Sequence, residues 1–378
     1  MREIREVTVF SHGDSEKLST WSNVPYFFTD ALLSRGIKVH RVDINPVGWI
    51  ERLYDHTVWR VLNKLRKGYF LRYIHTYANQ WEVNRRIRRA VRRYNKSDAF
   101  IFLSFSHSVK GVDVPVVLFC DWTIEYYFKY FLNRKASFIE RYTLRRQDKI
   151  IEAADLVISL FPVVTDHMRS YYKNPRIMYL GNVVNSQLKV AASEAVAVKQ
   201  ASKDILFIGN RKYVEGANCL VQAFKLLKAY IPDVRCNIIG MEARHLEEAP
   251  EGVYCYGYLD KSRDEERELY YSLMQGARVV VNTTEKWGAF SSTIEAMYFY
   301  IPVITSPYKE FTRTFGEEIG FGYYCESNAV EPLRDALLRM FEDPAYADMC
   351  LKAHEAVIPF GWEAYMERVI EEIKKVPR

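Results

Sequence analysis

One segment, residues 279–306, constrains the fold of this chain more than any other. It begins with three consecutive valines, Val279 to Val281, a pattern typical of a strand buried on both faces. A polar loop and a helical pattern follow, and Val303 to Thr305 then predict a second strand. Strand, loop, helix and strand form a βαβ unit, whose loop lies at the carboxyl edge of a parallel sheet. That edge is where open α/β sheets bind ligands.

The helix of this unit predicts a phosphate site. Ser291 or Ser292 is the predicted N-cap, the helix begins near Thr293, and Glu295 lies in its first turn. The unpaired backbone N–H groups of a helix N-terminus, together with the helix dipole, attract anions. We therefore expect a phosphate-bearing ligand at residues 291–293.

A second βαβ unit opens the chain. Residues 6–11 predict a buried strand, and the turn that leaves it contains His12 and Gly13. A helix is predicted to begin at Ser22 and Asn23, with proline just inside it, before a strand at residues 38–42. This unit also directs a helix N-terminus toward the edge of its sheet.

A length of 378 residues favours two domains. The stretch 187–203 is small and polar with five alanines, and it is interpreted as the linker between them. Residues 204–209 then predict the first strand of the second domain, 210–216 a short loop and 217–230 an amphipathic helix. The predicted domains are residues 1–186, completed by a terminal helix at 358–378, and residues 187–357.

The composition indicates a reducing compartment and no metal centre. The six cysteines are scattered without metal-ligand spacing, so buried free thiols are expected. No apolar run reaches the length of about 18 residues that a membrane-spanning helix needs. We expect a cytoplasmic protein, with possible peripheral attachment at the inner face of the membrane.

A basic segment covers residues 51–100, where thirteen Lys or Arg stand against four Asp or Glu, with aromatic residues interleaved. Such a surface suits an anionic membrane leaflet. The alternative is a set of solvated helix faces over an aromatic core. No nucleic-acid-binding module is recognisable, so nucleic acid is not an expected partner.

Residues 288–306, GAFSSTIEAMYFYIPVITS, resemble the donor-binding segment of GT-B nucleotide-sugar glycosyltransferases, nearest to the retaining glycosyltransferase family 4. The stretch TWSNVPYFFTDALLSRGIKVHRVDI is similar to the opening of a bacterial subgroup of that family, and Cys120-Asp121-Trp122-Thr123 to its "D-x-T" form. The resemblance extends over nearly the whole chain. It implies an α/β, GT-B fold with two Rossmann-like, doubly wound parallel-sheet domains facing across a cleft.

The resemblance implies that Glu295 holds the donor ribose; alternatively, its carboxylate only stabilises a helix N-terminus. The family also has an earlier glutamate, and its spacing would place that residue at Trp287 in this chain. The nearest carboxylate is Glu285, two residues earlier. Trp287 either stacks on a base or sugar or packs under the loop.

The leaving diphosphate needs compensation of its negative charge. The chain contains no Asp-x-Asp motif, which favours fixed cations and a helix N-terminus over a metal, so no metal or other cofactor is expected. Family 4 places a lysine where this chain has Glu215, and Arg211 and Lys212 in the same loop are the candidate substitutes. Alternatively, these two are surface charges.

The remaining site residues follow from the resemblance or from their position at strand ends. Asp121 is a candidate polar contact or base, or else a cap of the following helix. The catalytic candidates are Asp121, Arg211, Lys212 and Glu285. The donor-binding candidates are Gly13, Gly209, Asn210, Tyr258, Trp287, Phe290, Ser291, Ser292, Thr293 and Glu295. The acceptor-side candidates are His12, Trp21, Ser22 and Asn23.

The resemblance implies a metal-independent, retaining glycosyltransferase that moves a hexose from a nucleotide-sugar to a glycan or lipid-linked acceptor in surface polysaccharide or glycoconjugate synthesis. An intermediate possibility is a nucleoside monophosphate sugar as donor. The alternative is a non-catalytic nucleotide- or glycan-binding subunit that supports a partner enzyme, which Glu215 and Trp287 motivate. Release of nucleotide from donor sugars by the purified protein separates these hypotheses.

Overall fold

The computed structural model describes residues 3–65, 72–138, 140–188, 190–285 and 290–377. The chain forms two compact units, one comprising Met1–Gly181 with Trp362–Arg378 and the other Asn182–Gly361. Each unit is built on a six-stranded sheet whose neighbouring strands pair in parallel. The predicted α/β fold class, with two Rossmann-like doubly wound sheets, is confirmed.

The first sheet has the strand order β2-β1-β3-β4-β5-β6. Its strands are β1 (Glu6–Ser11), β2 (Lys38–Asp43), β3 (Ala99–Phe102), β4 (Val116–Cys120), β5 (Leu156–Ser159) and β6 (Ile177–Tyr179). Every residue of β3 and β5 is buried, because helices cover both faces of a parallel sheet.

The second sheet has the order β12-β11-β10-β7-β8-β9. Its strands are β7 (Asp204–Ile208), β8 (Arg235–Ile239), β9 (Val253–Gly257), β10 (Val279–Asn282), β11 (Val303–Thr305) and β12 (Gly322–Tyr324). The three valines of β10 are at most 3% exposed. Burying each side chain contributes roughly 1.5–3 kcal/mol, which fixes this strand at the centre of the sheet.

Among the described residues, seven α-helices precede the second unit. They are α1 (Val24–Leu33), α2 (Gly48–Tyr54), α3 (Arg60–Leu65), α4 (Tyr77–Arg93), α5 (Ile124–Tyr130), α6 (Glu140–Glu152) and α7 (Pro162–Tyr171). Short 3₁₀ turns lie at Trp21–Asn23 and Tyr73–His75, and a π-helical turn at Asp55–Trp59 joins α2 to α3. The basic segment is therefore helical wherever the structure describes it, apart from short connections and the strand β3 at its end.

The described part of the second unit contains seven further α-helices. They are α8 (Ala192–Ala201), α9 (Val214–Leu227), α10 (Asp264–Gly276), α11 (Phe290–Tyr298), α12 (Lys309–Phe315), α13 (Val330–Glu342) and α14 (Tyr346–Val357). Short 3₁₀ turns lie at Arg211–Tyr213, Ala243–His245 and Ile358–Phe360.

The interpretation of residues 187–203 as a linker is wrong for most of its length, because α8 occupies residues 192–201. Alanine has the highest helix propensity, and a stretch without turn residues suits a helix. The helix is anchored by Lys199, which is fully buried. Its Nζ donates to the carbonyl oxygens of Met274 at 3.1 Å and Gln275 at 2.9 Å, at the C-terminal end of α10. A cation at a helix C-terminus satisfies carbonyls that have no partner within the helix.

The chain ends in α15 (Trp362–Lys374), which packs on the first unit. Trp362 stacks on Phe27 of α1 with ring centroids 6.3 Å apart. Arg368 donates through Nε to the carbonyl oxygen of Leu180 at 3.0 Å. Within the described residues, no helix combines the length and the apolar composition needed to span a bilayer.

Candidate active site

In each sheet the strand order reverses at one place, which is called the switch point. In the first sheet, β1 lies between β2 and β3, so the chain moves to opposite sides of β1. In the second sheet, β7 leads toward β8 and β9, whereas β10 leads toward β11 and β12. The order therefore reverses between β7 and β10. The carboxyl ends of such strand pairs are where doubly wound sheets bind ligands.

Two loops of the second unit meet at this edge. A Cβ added at Gly216, in the first turn of α9, would lie 2.5 Å from Oγ1 of Thr284, which follows β10. Only glycine therefore lets α9 begin against that loop. The buried Oγ1 of Thr284 and Nδ2 of Asn282 have no hydrogen-bond partner within the described ranges. Such polar atoms are available to a ligand or to water.

The ends of β7 and β8 approach each other through two glycines. Gly240 has a φ of +99°, and a Cβ there would lie 2.5 Å from the carbonyl oxygen of Gly209. Gly209 in turn donates its N–H to the carbonyl of Ile239 at 2.9 Å. Neither glycine has a side chain at this point, where the resemblance predicts that Gly209 contacts the donor.

The helix start predicted at Thr293 is wrong, because α11 already includes Phe290. Ser291 and Ser292 lie inside its first described turn and are not N-caps, and Glu295 falls in the second turn. Phe290 is 2% exposed and packs on Phe311 and Phe315, with ring centroids 5.9 and 6.1 Å away. Burial of this ring extends the helix past the serines.

The two candidate phosphate-binding cations lie on one 3₁₀ turn, Arg211–Tyr213. The side-chain oxygen of Asn210 accepts the backbone N–H of Lys212 at 3.0 Å and so caps the turn. The side chains of Arg211 and Lys212 are exposed, and the guanidinium of Arg211 contacts Nε2 of His245. The turn therefore presents both cations at the carboxyl end of β7.

The predicted loop at 210–216 is shorter than expected, because the 3₁₀ turn runs directly into α9 at Val214. Glu215 consequently lies in the first turn of α9, where its carboxylate is exposed. A negative charge there stabilises the helix dipole. This gives Glu215 a structural role independent of any ligand.

Glu295 is held in a buried polar cluster. Its carboxylate forms an ion pair with Lys261, with Nζ 2.8 Å from Oε1, and the two side chains are only 7% and 13% exposed. Tyr270 of α10 donates its hydroxyl to Oε2 at 3.0 Å, and the Lys261 ammonium lies 4.5 Å from the centre of the Tyr270 ring. Burial and the neighbouring Glu295 charge raise the pKa of the Tyr270 hydroxyl well above its usual value. Tyr270 therefore stays a donor.

Three other donor-side candidates remain predictions. Trp287 lies among residues 286–289, outside the described residues. Glu285 is exposed beyond the end of β10, and Tyr258 is 75% exposed just after β9. The structure places both at the carboxyl edge of the second sheet without joining them to Glu295.

In the first unit, Asp121 lines a cavity of about 230 Å³ at the carboxyl ends of β3 and β4. Its Oδ1 accepts the backbone N–H of Trp122 at 2.9 Å. The cavity is lined by Ser104, Phe105, Ser106, Cys120, Asp121, Trp122, Ile124, Tyr127 and Gln147. Burial, with the Asp121 charge adding to it, raises the pKa of the Cys120 thiol, so the thiol stays protonated.

The alternative reading of Asp121 as a helix cap is wrong. Thr123 is the N-cap of α5, and its Oγ1 accepts the N–H of Tyr126 at 3.1 Å. Asp121 lies two residues earlier and faces the cavity instead. Its placement suits contact with a bound molecule.

Two candidate residues of the first unit, His12 and Gly13, lie in the turn after β1. Gly13 has a φ of +98° and donates its N–H to Asp43 at 3.0 Å, so it is required for the turn. His12 faces His107, with ring centroids 5.1 Å apart. Gly13 belongs to the first unit, whereas the other donor-binding candidates belong to the second.

The acceptor-side candidates Trp21, Ser22 and Asn23 have φ values of +35°, +52° and +70°. Three consecutive non-glycine residues in this region are strained, and such strain is concentrated at functional segments. Asn23 lies at the N-cap position of α1, but it donates its side-chain amide to the carbonyl of Leu18 and caps nothing.

Buried histidines and an arginine surround the same edge of the first sheet. Burial lowers the pKa of His12 and His75 to about 4, and it lowers the pKa of His107 well below its ordinary value. The positive charge of Arg146 contributes to the lowering for His75 and His107. These imidazoles are therefore neutral at physiological pH.

Sequence reasoning missed Lys261, Tyr270, Arg146 and Gln147. Lys261, Tyr270 and Gln147 contact their partners only through the tertiary fold, and none of the four residues belongs to a recognisable motif. Within the described ranges, no group of three His, Cys, Asp or Glu side chains is arranged to hold a metal ion.

Residues 191–357 match the family model described as glycosyl transferases group 1. The match covers most of the second unit, including α9, β10 and α11. The second unit is therefore similar to that family over most of its length. Among curated proteins, no sequence matches this chain.

Solved structures show the same fold along the chain. Sucrose-phosphate synthase from Thermosynechococcus elongatus is 16% identical, with a TM-score of 0.67 over 99% of this chain and 100% of that chain. WaaG, a glycosyltransferase involved in lipopolysaccharide biosynthesis, is 14% identical, with a TM-score of 0.65 over 98% and 100%.

A structure of S. aureus TarM in complex with fondaparinux, alpha-GlcNAc-glycerol and UDP is 17% identical, with a TM-score of 0.54. It matches 73% of this chain, which spans only 55% of that chain. The chain thus has the GT-B fold of these proteins.

Proposed function

We propose that this chain is a metal-independent, retaining glycosyltransferase that moves a hexose from a nucleotide-sugar to a glycan or lipid-linked acceptor in surface polysaccharide or glycoconjugate synthesis. One observation carries the proposal: the second unit, which matches the group 1 family model, holds Glu295, Lys261 and Tyr270 together beside the β7/β10 switch point. The resemblance to family 4 assigns the donor ribose to Glu295. A carboxylate has about four lone-pair sites, so Glu295 can accept ribose hydroxyls while it keeps both protein partners.

The leaving nucleoside diphosphate gains negative charge as the glycosidic bond breaks. In the proposal, Arg211 and Lys212 and the N-terminal turn of α11 stabilise that charge. Fixed cations and backbone dipoles of this kind do the work that a divalent metal does elsewhere. Asp121 is the proposed polar contact or base on the acceptor side, where it faces the cavity of the first unit.

The acceptor class is proposed from two neighbours as well as from the resemblance. TarM was solved with a GlcNAc-glycerol and UDP, and WaaG acts in lipopolysaccharide biosynthesis. Both point to surface glycans or lipid-linked glycans as the type of acceptor for this chain.

A membrane surface is a further proposed partner. Helices α2 to α4 expose large apolar side chains, with Trp49 at 65% and Trp81 at 66%. Exposed arginines of α4 lie beside them, and the Arg85 guanidinium is 5.6 Å from the centre of the Trp81 ring. Exposed aromatics among cations suit the interface of an anionic leaflet, where a lipid-linked acceptor would lie.

The second candidate is a non-catalytic subunit that binds nucleotide or glycan. Glu215 favours it, because this carboxylate stands where family 4 has a phosphate-binding lysine, and it would repel a diphosphate. A nucleoside monophosphate sugar as donor would reduce that conflict.

The test is release of nucleotide from a panel of nucleotide sugars by the purified protein, with nucleotide binding measured in parallel. Turnover of any donor supports the enzyme. Nucleotide binding without turnover supports the non-catalytic subunit, and absence of both contradicts the donor site itself.

A further inference from the structure

Arg146 of α6 carries two buried nitrogens without a partner. Its Nε and Nη1 are inaccessible to solvent, and no hydrogen-bond acceptor meets either of them within the described ranges. Burial lowers the pKa of its guanidinium, yet an arginine remains charged at any physiological pH. A buried charged donor without an acceptor is strongly unfavourable unless something outside the chain satisfies it.

No carboxylate compensates this charge. Apart from burial, the groups that act on the pKa of Arg146 are the hydroxyls of Tyr142 and Tyr77. The chain segments that the structure leaves undescribed contain no Asp or Glu side chain, so they cannot supply one either. The imidazoles of His75 and His107, on which the Arg146 charge acts, are neutral and supply no negative charge.

The arginine lies at the ligand-binding edge of the first sheet. The next residue, Gln147, donates through Nε2 to Oγ of Ser106 at 3.1 Å and accepts the backbone N–H of Ile124 at 2.7 Å. These contacts hold α6 against the loop between β3 and β4 and against the start of α5, beside the cavity that Asp121 lines. His107 follows Ser106 directly and faces His12 at the end of β1. Arg146 therefore belongs to the switch point of this sheet.

Two stacked tyrosines, Tyr142 and Tyr77, interact electrostatically with the guanidinium. Tyr142 lies one turn before Arg146 on the same face of α6, and its ring stacks on that of Tyr77 with centroids 4.0 Å apart. A planar guanidinium can bind a planar or tetrahedral anion through two parallel N–H donors.

From the unpaired nitrogens of Arg146 we infer that its guanidinium binds an anionic group of the acceptor, either a phosphate or a carboxylate. The inference rests on the proposed function for the statement that the anion belongs to an acceptor. The site itself rests only on the unpaired guanidinium and its surroundings. A phosphate would come from a lipid-linked or glycerol-linked acceptor, and a carboxylate from an acidic sugar.

The experiment titrates the intact protein with glycerol 3-phosphate, with glucuronate and with neutral glucose at constant ionic strength, using calorimetry. The variants are Arg146→Gln and Arg146→Lys, and the matched control is Arg145→Gln, an exposed neighbour on the same helix. We expect one of the two anions to bind and glucose to bind far more weakly. Arg146→Gln should weaken anion binding about tenfold or more, whereas Arg145→Gln should change it by less than about twofold.

Stability measurements separate binding from folding. Because an unpaired buried charge destabilises a protein, Arg146→Gln without ligand should have a thermal midpoint at or above that of the wild type. Arg146→Lys retains the positive charge but lacks the planar guanidinium. It serves as the folded comparison if Arg146→Gln is unstable. Preference for glycerol 3-phosphate identifies a phosphate site, and preference for glucuronate a carboxylate site.

Equal anion affinity in wild type and Arg146→Gln would overturn the inference, because binding would then lie elsewhere, for example at the diphosphate site proposed in the second unit. A large loss of stability in Arg146→Gln without ligand would also overturn it, since the guanidinium would then be satisfied by the protein. None of these readouts needs turnover. Failure of the proposed function would therefore leave the result of this titration intact.

Discussion

Lys261 and Glu295 form a buried ion pair, with Nζ 2.8 Å from one carboxylate oxygen and 3.1 Å from the other. The pair joins the loop after β9 to the second turn of α11. The same ammonium donates to the carbonyl of Asn185 at 3.3 Å. One lysine thus connects the candidate ribose-binding carboxylate with the segment that enters the second unit.

Replacing only one residue of this ion pair should destabilise the protein. Lys261→Met leaves the Glu295 carboxylate buried with only Tyr270 as a partner, and a loss of about 3–5 kcal/mol in the free energy of unfolding is expected. Urea unfolding measures it. The double variant Lys261→Met/Glu295→Gln should recover most of the loss, because no charge then remains unpaired.

The control for this prediction is Lys225→Met. Lys225 pairs with Glu248 at 2.7 Å on the surface, where both side chains are more than a third exposed. Removing such a pair should cost less than about 1 kcal/mol. Similar losses at Lys225 and Lys261 would contradict the buried-pair account.

The second prediction concerns the 3₁₀ turn Arg211–Tyr213, which is proposed to bind the diphosphate. Removing a cation that stabilises charge in the transition state lowers the rate by about 30- to 1000-fold, so Arg211→Ala or Lys212→Ala should lose turnover on that scale. Glu295→Ala should chiefly raise KM, since a ribose contact is made in the ground state and the transition state alike. Steady-state kinetics distinguish the two effects.

Glu215→Lys is the complementary variant, because it restores the charge that family 4 carries at this position. It should be tolerated or should tighten binding of a nucleoside diphosphate. Wild-type turnover and nucleotide affinity in both cation variants would show that this turn does not bind the diphosphate.

The strands were predictable because burial on both faces leaves a strong signal. Residues 6–11 and 303–305 are strands with the predicted bounds, and each lies in an apolar run that ends in a turn. Helix starts were less predictable, since local capping competes with tertiary burial. At α11 the burial of Phe290 outweighs two good capping serines, so the helix begins earlier than the serines indicate.

The site was only partly predictable. The position of Glu295 followed from the resemblance, but its partner Lys261 is 34 residues away and no local pattern links them. The helix α8 was missed because its alanines carry no amphipathic period, and its anchor Lys199 is a lysine in a fully buried position. Pairwise contacts of this kind depend on the packing of whole elements.

The histidines of the first unit predict a pH dependence of stability. In the folded protein His12 and His75 have a pKa of about 4, whereas an unfolded histidine titrates near a pH of about 6.5. Between these values the unfolded chain binds more protons, so the free energy of unfolding falls as the pH is lowered. Each histidine contributes a slope of at most about 1.4 kcal/mol per pH unit.

Urea unfolding at a series of pH values between these limits checks this. His75→Gln should flatten the acid limb, because glutamine takes up no proton on unfolding. An unchanged slope in His75→Gln would contradict the assignment of a neutral buried imidazole at this position.

The basic surface of α4 makes a further prediction. Replacing the exposed Arg85, Arg88, Arg89 and Arg92 by Ser should weaken binding to vesicles that contain anionic lipid, and should reduce the salt sensitivity of binding. Arg86 is retained, because it donates to the carbonyls of Asp43 and Asn45 and supports the fold. Turnover of a soluble acceptor should hardly change. Unaltered vesicle binding would leave these arginines as a solvated helix face.

Proton NMR of donor turnover in the presence of EDTA tests the central proposal most directly, because one spectrum reports activity, metal dependence and stereochemistry. For a donor with an α-linked sugar, the account predicts release of nucleoside diphosphate without added metal, and an α-anomer as the first product. Turnover that stops in EDTA and returns with manganese, a β-anomer as the first product, or no nucleotide release from any donor would contradict it.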